Sequence, residues 1–287
     1  MPSIKHILFP VDFSEQNCGI APYVESMARK YGARVSVLHA VELPVMGYAD
    51  GPVYSGIDFQ EMLDHGKQRV ESFLKGEFQH IPTTRLMVEG DPAFWIAEYA
   101  DKEKVDLIMM PTHGYGPFRR LLLGSVTAKV LHDVKCAVWT NAHTPEKPAS
   151  PAGYRNVLCA LDYTPENLPL LRWASLFACE QGATLKVAHA IPAAKVPGAL
   201  DLEGGRFRSS LFEMAREDLA KLQKEAGTSV EMVIEGGDIA DVIHKAAEDN
   251  DADLVIIGRG VIHELFGRMR THVYSIVRKA PCPVIRV

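Results

Sequence analysis

The chain has 287 residues, enough for about two domains, and its 47% hydrophobic and 23% charged content is that of an ordinary globular protein. A net charge of −5 argues against a general binder of nucleic acids or anionic membranes. No apolar run approaches the roughly 20 residues that span a bilayer, and the first residues lack the layout of a signal peptide. Five cysteines without Cys-x-x-Cys spacing favour a reducing compartment, so we expect a cytoplasmic protein.

Short apolar strands alternate with helical stretches along the first half. The runs Ile7–Pro10 and Val35–Leu38 are continuous and apolar, which is typical of strands buried on both faces. A helix between them is predicted to begin after Ser14, as N-cap, and to end at Gly32. The later elements are a helix from Asp91, a strand over 105–110, a helix over 125–132 and a strand over 137–140. This order predicts a parallel sheet covered by helices.

The second half repeats the landmarks of the first. Asp162 and His189 follow Asp12 and His39 at an offset of 150 residues, and the helix after Asp162 is predicted to open at 164–166. A period this long indicates two whole domains rather than a solenoid of short repeats. We therefore predict two tandem doubly wound α/β domains. The first covers residues 1–143, a Pro-rich linker covers 144–153, and the second domain covers 154–287.

A candidate ligand site lies where ligands bind doubly wound sheets, beyond the carboxyl ends of the strands. Asp12 ends the first strand, and the 111–127 loop follows the fourth. Gly114 allows a ligand to approach the main chain. The helix after this loop presents its first amides, together with the hydroxyls of Ser125 and Thr127, to one point suited to phosphate. Whether the two strand ends are neighbours depends on strand order, which spacing alone does not give.

The residues alone leave structural alternatives open. Ser125 and Thr127 also suit a plain helix N-cap and first turn, and Asp12 also suits an ordinary turn. His39 and His189 stand at strand ends, where histidines are more often packed and hydrogen-bonded than ligands. The sequence contains no metal-spaced His/Cys cluster, no GxSxG elbow and no Walker GxxxxGK[ST] loop.

The loop spacing resembles the nucleotide pattern of the universal stress protein family. That pattern runs Gly, two residues, Gly, nine residues, then Gly-Ser or Gly-Thr, and here Gly114 stands nine residues before Gly124-Ser125. The resemblance covers nearly all of both halves, including Phe-Pro-Val-Asp-Phe-Ser at 9–14 and the closing Cys-Ala-Val and Cys-Pro-Val. It implies a five-stranded parallel sheet in the order 3-2-1-4-5 in each half, with helices on both faces, which would place Asp12 beside the 111–127 loop.

The same resemblance implies ATP, alone or with Mg2+, as the ligand of the first domain. By position in the family pattern, Asp12 would contact adenine or ribose. The residues that would line the base are Val11, Ala40 and Met110. The residues that would hold the phosphates are Gly114, Gly124, Ser125, Val126 and Thr127.

Two departures from the family pattern modify these expectations. Pro111 replaces the first glycine, and because proline has no amide to donate, we expect weakened or altered binding rather than none. In the second half Val261, Thr271 and His272 replace Gly, Gly and Ser, so this half should not bind ATP in the family manner. Its loop is basic, which fits a solvated surface or a different anion.

The resemblance favours an adenine-nucleotide-binding stress-response or signalling protein without strong enzymatic activity. One alternative is a slow ATP hydrolase of the related adenine-nucleotide fold, although the Ser-Gly-Gly-x-Asp-Ser loop of such enzymes is missing after the first strand. Another is a nucleotide-free dimerisation scaffold. The last strands, 136–140 and 282–287, are expected to pair as open sheet edges. The two halves would then form a pseudo-dimer within the chain, with a further homodimer left open.

Overall fold

The computed structural model describes residues 4–42, 59–114, 123–141, 153–162, 164, 166–192, 202–260 and 271–287. The chain divides into two compact units. The first unit consists of residues 3–119 and 124–136. The second unit consists of residues 137–287 together with 1–2 and 120–123. The boundaries of the predicted domains remain a prediction.

The first unit is a parallel sheet with four helices. Its elements are β1 (His6–Pro10), α1 (Glu15–Tyr31), β2 (Arg34–Val41), α2 (Phe59–Ser72), β3 (Thr83–Glu89), α3 (Pro92–Lys102), β4 (Leu107–Pro111) and α4 (Ser125–Asp133). The strands pair in parallel in the order β3-β2-β1-β4. These are the first four positions of the predicted order. Every residue of β1 and β4 is buried, as their unbroken apolar runs predict.

Local signals in the sequence explain where the helices of the first unit begin and end. Gly32 ends α1 in the left-handed conformation, with φ of 61°, and the Asp91 carboxylate caps α3 by accepting from Phe94 N at 2.8 Å. Ser14 does precede α1, but its side chain makes no cap. Its hydroxyl lies 3.4 Å from Asn17 Oδ1 instead.

The second unit contains the remaining six strands and four helices. Its elements are β5 (Ala137–Asn141), β6 (Asn156–Leu161), α5 (Asn167–Gln181), β7 (Thr184–Ile191), α6 (Leu202–Ala226), β8 (Glu231–Gly236), α7 (Ile239–Asp249), β9 (Leu254–Ile257), α8 (Thr271–Lys279) and β10 (Val284–Arg286). The parallel order β8-β7-β6-β9-β10 is the predicted 3-2-1-4-5 arrangement.

Helix α5 begins later than the sequence indicates. The prediction placed its start at 164–166, whereas the first helical residue is Asn167. The reason is a local turn, in which the Thr164 hydroxyl donates to the Asp162 carboxylate and Asn167 N donates to Thr164 O at 3.1 Å. Such side-chain bonds compete with the helix for the same backbone.

The last strands of the two halves pair with each other inside the second unit. β5 runs antiparallel to β10, with Trp139 opposite Ile285. Both side chains are buried, and Trp139 Nε1 donates to Tyr154 Oη at 2.7 Å. The edge pairing predicted for these strands is therefore present, and it satisfies backbone groups that an open edge would expose.

Within the described ranges, no helix combines the length and apolar character needed to cross a bilayer.

Candidate functional site

The carboxyl ends of β1 and β4 lie side by side, and this brings Asp12 against the 111–127 loop. The two strands are paired through Ile7 and Leu107. A β-carbon at position 114 would lie 1.8 Å from Asp12 Oδ2, so the carboxylate occupies the space above the Gly114 α-carbon. Glycine is needed here because of this approach, since any side chain would overlap the carboxylate. The ends of β1 and β4 are therefore neighbours, which the spacing of the strands in the sequence could not decide.

A short turn holds the Asp12 carboxylate in this position. Ser14 N donates to Asp12 Oδ1 at 2.9 Å, and Asp12 N donates to Asn17 Oδ1 at 2.9 Å. Phe13, between them, has φ of 63°, in the left-handed region that a bulky residue seldom adopts. The carboxylate is therefore oriented by the main chain of the turn that follows it.

The start of α4 supplies backbone donors next to this carboxylate. Gly124 N donates to Thr112 O at 2.9 Å, so this amide closes the base of the loop rather than facing a ligand. A β-carbon at position 124 would lie 3.0 Å from the same Thr112 oxygen, which explains the glycine. The first helical bond is Ala128 N to Gly124 O, and the amides of residues 125–127 precede it. A helix N-terminus of this kind favours anions.

The hydroxyls of Ser125 and Thr127 have different surroundings, and the phosphate role expected of both stays a prediction. Thr127 is 2% exposed, and its hydroxyl donates to Pro111 O at 3.1 Å. This bond attaches α4 to the end of β4 and gives the buried Pro111 carbonyl a donor. Ser125 is exposed at the first helical position and Val126 is half-buried, so both stand closer to solvent.

Three apolar residues stand at or near the carboxyl ends of β1, β2 and β4. Val11 follows β1, Met110 is in β4 and Ala40 is in β2, and these three strands are neighbours in the sheet. Val11 and Met110 are buried and Ala40 is half-buried. Residues with these positions suit the face of a planar base, and that role stays a prediction.

Two histidines at corresponding positions hold the ends of the first strand of each half. His39 Nδ1 lies 2.8 Å from Val11 O, and His189 Nδ1 lies 2.9 Å from Leu161 O. Burial lowers the pKa of both rings below the ordinary value of 6.5. For His39 the charge of Arg69 lowers the pKa further, while the bond to Val11 O raises it. Neutral rings that donate from Nδ1 fit these bonds. Both histidines are thus packed and hydrogen-bonded, as predicted.

Sequence patterns did not predict an aromatic cluster beside Asp12. The Phe13 ring lies 4.3 Å from the His39 ring and 5.2 Å from the Phe73 ring, centroid to centroid. The Arg69 guanidinium lies over the Phe13 ring, 4.3 Å from its centroid. These side chains come from a turn, β2 and the α2 region, so only the tertiary fold assembles them.

The second unit keeps part of this arrangement. Asp162 N donates to Asn167 Oδ1 at 3.2 Å, as in the first unit, and Gly260 is left-handed with φ of 69°. Residues 261–270 of the loop after β9 lie outside the described residues. Among the basic residues of this loop, Arg259 and His272 are described. Within the described ranges no group of His, Cys, Asp and Glu side chains could hold a metal ion.

Comparison with known proteins gives one consistent family. The family model described as the universal stress protein family matches residues 3–140 and again 153–287. A universal stress protein of Thermus aquaticus is 34% identical over 137 residues, 47% of this chain and 96% of the relative. A solved universal stress protein of Archaeoglobus fulgidus covers 99% of this chain and 96% of its own, with 23% identity and a TM-score of 0.70. A solved universal stress protein in complex with cAMP covers 47% of this chain, with 21% identity and a TM-score of 0.33.

Proposed function

The chain belongs to the universal stress protein family, and we propose that its first unit binds ATP or a closely related adenine nucleotide. In this proposal the protein acts in the cytoplasm as a stress-response or signalling module. The observation that supports it most directly is the convergence of Asp12, Gly114 and the first amides of α4 at one end of the sheet. A doubly wound sheet binds its ligands at this end.

Each part of the site suits one part of a nucleotide. The apolar residues Val11, Ala40 and Met110 suit adenine. Asp12 Oδ2 is an acceptor for a ribose hydroxyl or the base amino group. The amides of residues 125–127 and the exposed Ser125 hydroxyl suit phosphate oxygens. Gly124 and Thr127 support this group by fixing the base of the loop.

Pro111 changes the site without removing it. Its missing amide deletes one donor, and its carbonyl is bound to the Thr127 hydroxyl. The other phosphate donors belong to α4, whose position that bond secures. A Mg2+ ion accompanying the nucleotide would be held mainly by phosphate oxygens and water, as is usual for this ion.

Calorimetry of the whole chain with ATP tests the proposal. We expect one ATP per chain, because the second half lacks the Gly-Ser pattern. Gly124→Val should abolish binding, since its side chain would press on Thr112 O and displace the loop base. The matched control is Gly76→Val in the same unit, where an added β-carbon meets no atom within 4 Å. Unchanged ATP affinity in Gly124→Val, or two ATP per chain, contradicts the proposal.

The pairing of β5 with β10 favours a second candidate function, a nucleotide-free dimerisation scaffold. The two functions differ in what the purified protein carries. Mass spectrometry of small molecules released from undialysed protein should detect an adenine nucleotide if the first function holds. Its absence, together with no heat on titration of ATP or cAMP, would leave the scaffold.

A further inference from the structure

We propose that Phe13 is a positioning residue of the site, and that its ring, packed against His39, Arg69 and Phe73, fixes the turn that aims the Asp12 carboxylate over Gly114. The inference rests on the proposed nucleotide site and adds a residue that contacts the ligand only through Asp12. It starts from the backbone of Phe13, whose φ of 63° is unfavourable for an aromatic residue. Such conformations persist only where the surrounding structure holds them, and they cluster at functional sites.

The contacts of the Phe13 ring supply the necessary hold. Its centroid lies 4.3 Å from that of the His39 ring, at an interplanar angle of 47°, and 4.3 Å from the Arg69 guanidinium carbon. The edge of Phe73 meets it at 5.2 Å and 75°. Contacts of an aromatic ring with a cation and with another ring edge are both attractive. The ring is thus clamped by β2, α2 and the residue that follows α2.

The clamp is itself fixed to the end of β1. His39 Nδ1 is 2.8 Å from Val11 O, which places the imidazole at the residue before Asp12. Burial and the nearby Arg69 charge lower the pKa of His39 and favour the neutral ring. A neutral ring donates this bond from Nδ1 and packs against Phe13 without repelling the nearby guanidinium.

The consequence for Asp12 follows from the geometry of the turn. With Phe13 left-handed, the chain reverses so that Ser14 N reaches Asp12 Oδ1 at 2.9 Å. This leaves Oδ2 over the Gly114 α-carbon, the position from which it would meet the ligand. If the ring is removed, residue 13 relaxes to an ordinary φ, the Ser14 amide turns away, and the carboxylate loses its fixed direction.

Two substitutions separate the ring from the backbone conformation. Phe13→Ala removes the ring and keeps the penalty on positive φ, so we expect the Kd for ATP to rise about tenfold or more. Phe13→Gly removes the ring but admits positive φ freely, so it should recover part of that loss. Phe94→Ala, at a 56% exposed aromatic of the same unit, is the control and should bind as the wild type does.

A double-mutant cycle with Asp12→Asn distinguishes positioning from general destabilisation. If Phe13 acts through Asp12, Phe13→Ala should cost about twofold or less in Kd when Asp12 is already replaced. Full additivity of the two losses would overturn the inference, as would a Phe13→Ala protein with wild-type affinity.

A ligand-free measurement keeps this inference distinct from the nucleotide proposal. In protein labelled with 15N-glycine and 15N-serine, the amide signals of Gly114 and Ser14 should move in Phe13→Ala and move less in Phe13→Gly. Should the wild type bind no ATP, these shifts still test whether Phe13 fixes the turn. Unmoved signals in both variants would refute the positioning role even if ATP binds.

Discussion

Replacing Gly114 by alanine should weaken ligand binding and lower the stability of the protein modestly. The added β-carbon would lie 1.8 Å from Asp12 Oδ2 and 2.9 Å from Asp12 Cγ. Contacts under 3.0 Å are essentially never observed for a β-carbon, so Oδ2 must retreat by about 1.2 Å or more. A shift of that size also disturbs the 2.9 Å bond from Ser14 N to Oδ1.

Two free energies are involved. Ser14 N donates to a charged carboxylate, so loss of this bond costs about 1.5–3 kcal/mol of unfolding free energy. Gly114 is not in the left-handed region, so alanine is free of backbone strain and returns about 0.4–1 kcal/mol by restricting the unfolded chain. The net loss of stability is about 0.5–2.6 kcal/mol. Loss of a ligand bond to a charged carboxylate costs about 1.5–3 kcal/mol, which raises Kd by about 10-fold to 150-fold.

Calorimetry with ATP and thermal melting of the same preparations measure both quantities. Gly114→Ala should show the rise in Kd with a Tm lowered by no more than about 10 °C. Gly76→Ala, at a turn position where the β-carbon meets open space, should leave Kd unchanged and raise Tm slightly, since alanine restricts the unfolded chain. A Gly114→Ala protein with wild-type affinity would refute the role assigned to Asp12. A loss of affinity matched by a large fall in Tm would show that the overlap disrupts the unit rather than the site.

Two further predictions concern stability. Because burial lowers the pKa of His39 and His189 below 6.5, the folded protein binds fewer protons than the unfolded chain as pH falls through this range. The free energy of unfolding should be highest above pH 6.5 and fall below it, and melts from pH 7.5 to 5 should show a smaller fall for His39→Asn. Thr127→Val should lower the free energy of unfolding by about 1–3 kcal/mol, since Pro111 O loses its donor, whereas Thr127→Ser should cost less. A larger cost for serine than for valine would mean that the methyl group, not the hydroxyl, matters.

The architecture was predictable because it depends on patterns of many residues. Buried parallel strands appear as unbroken apolar runs such as Ile7–Pro10, and glycine at position 32 marks a helix end by a conformation that few residues adopt. The strand order did not follow from these patterns and came from the family resemblance. The start of α5 was misplaced because Thr164 bonds to Asp162, a competition between two side chains that propensities do not register.

The sequence could name candidate residues for the site, whose ligand role stays a prediction, but it could not give their contacts. Asp12 and Gly114 could be paired once strand order was known. The donation from Thr127 to Pro111 O could not be foreseen, because a hydroxyl in a first helical turn has several acceptors and the fold selects among them. The left-handed conformation of Phe13 is even harder to predict. Phenylalanine does not favour that conformation, and the rings that contact it are distant in sequence.

Comparison of the two halves separates contacts that hold the fold from contacts that point to a ligand. Asp106 accepts from the amides of Lys5 and His6 at 2.8 and 3.0 Å, and Asp253 accepts from Arg155 and Asn156 at 2.7 and 3.1 Å. The histidine bonds to the first strand and the asparagine bonds to Asp12 and Asp162 also occur in both halves.

The two halves differ in the loop after the fourth strand but share the sheet. Contacts that occur in both halves therefore stabilise the sheet. A ligand that binds one half must instead depend on what the halves do not share. In the first half this is the approach of Asp12 to Gly114 and the closure of the loop at Gly124. Substitutions at these glycines should therefore change affinity more than stability, whereas substitutions of Asn17, Asn167, Asp106 and Asp253 should do the reverse.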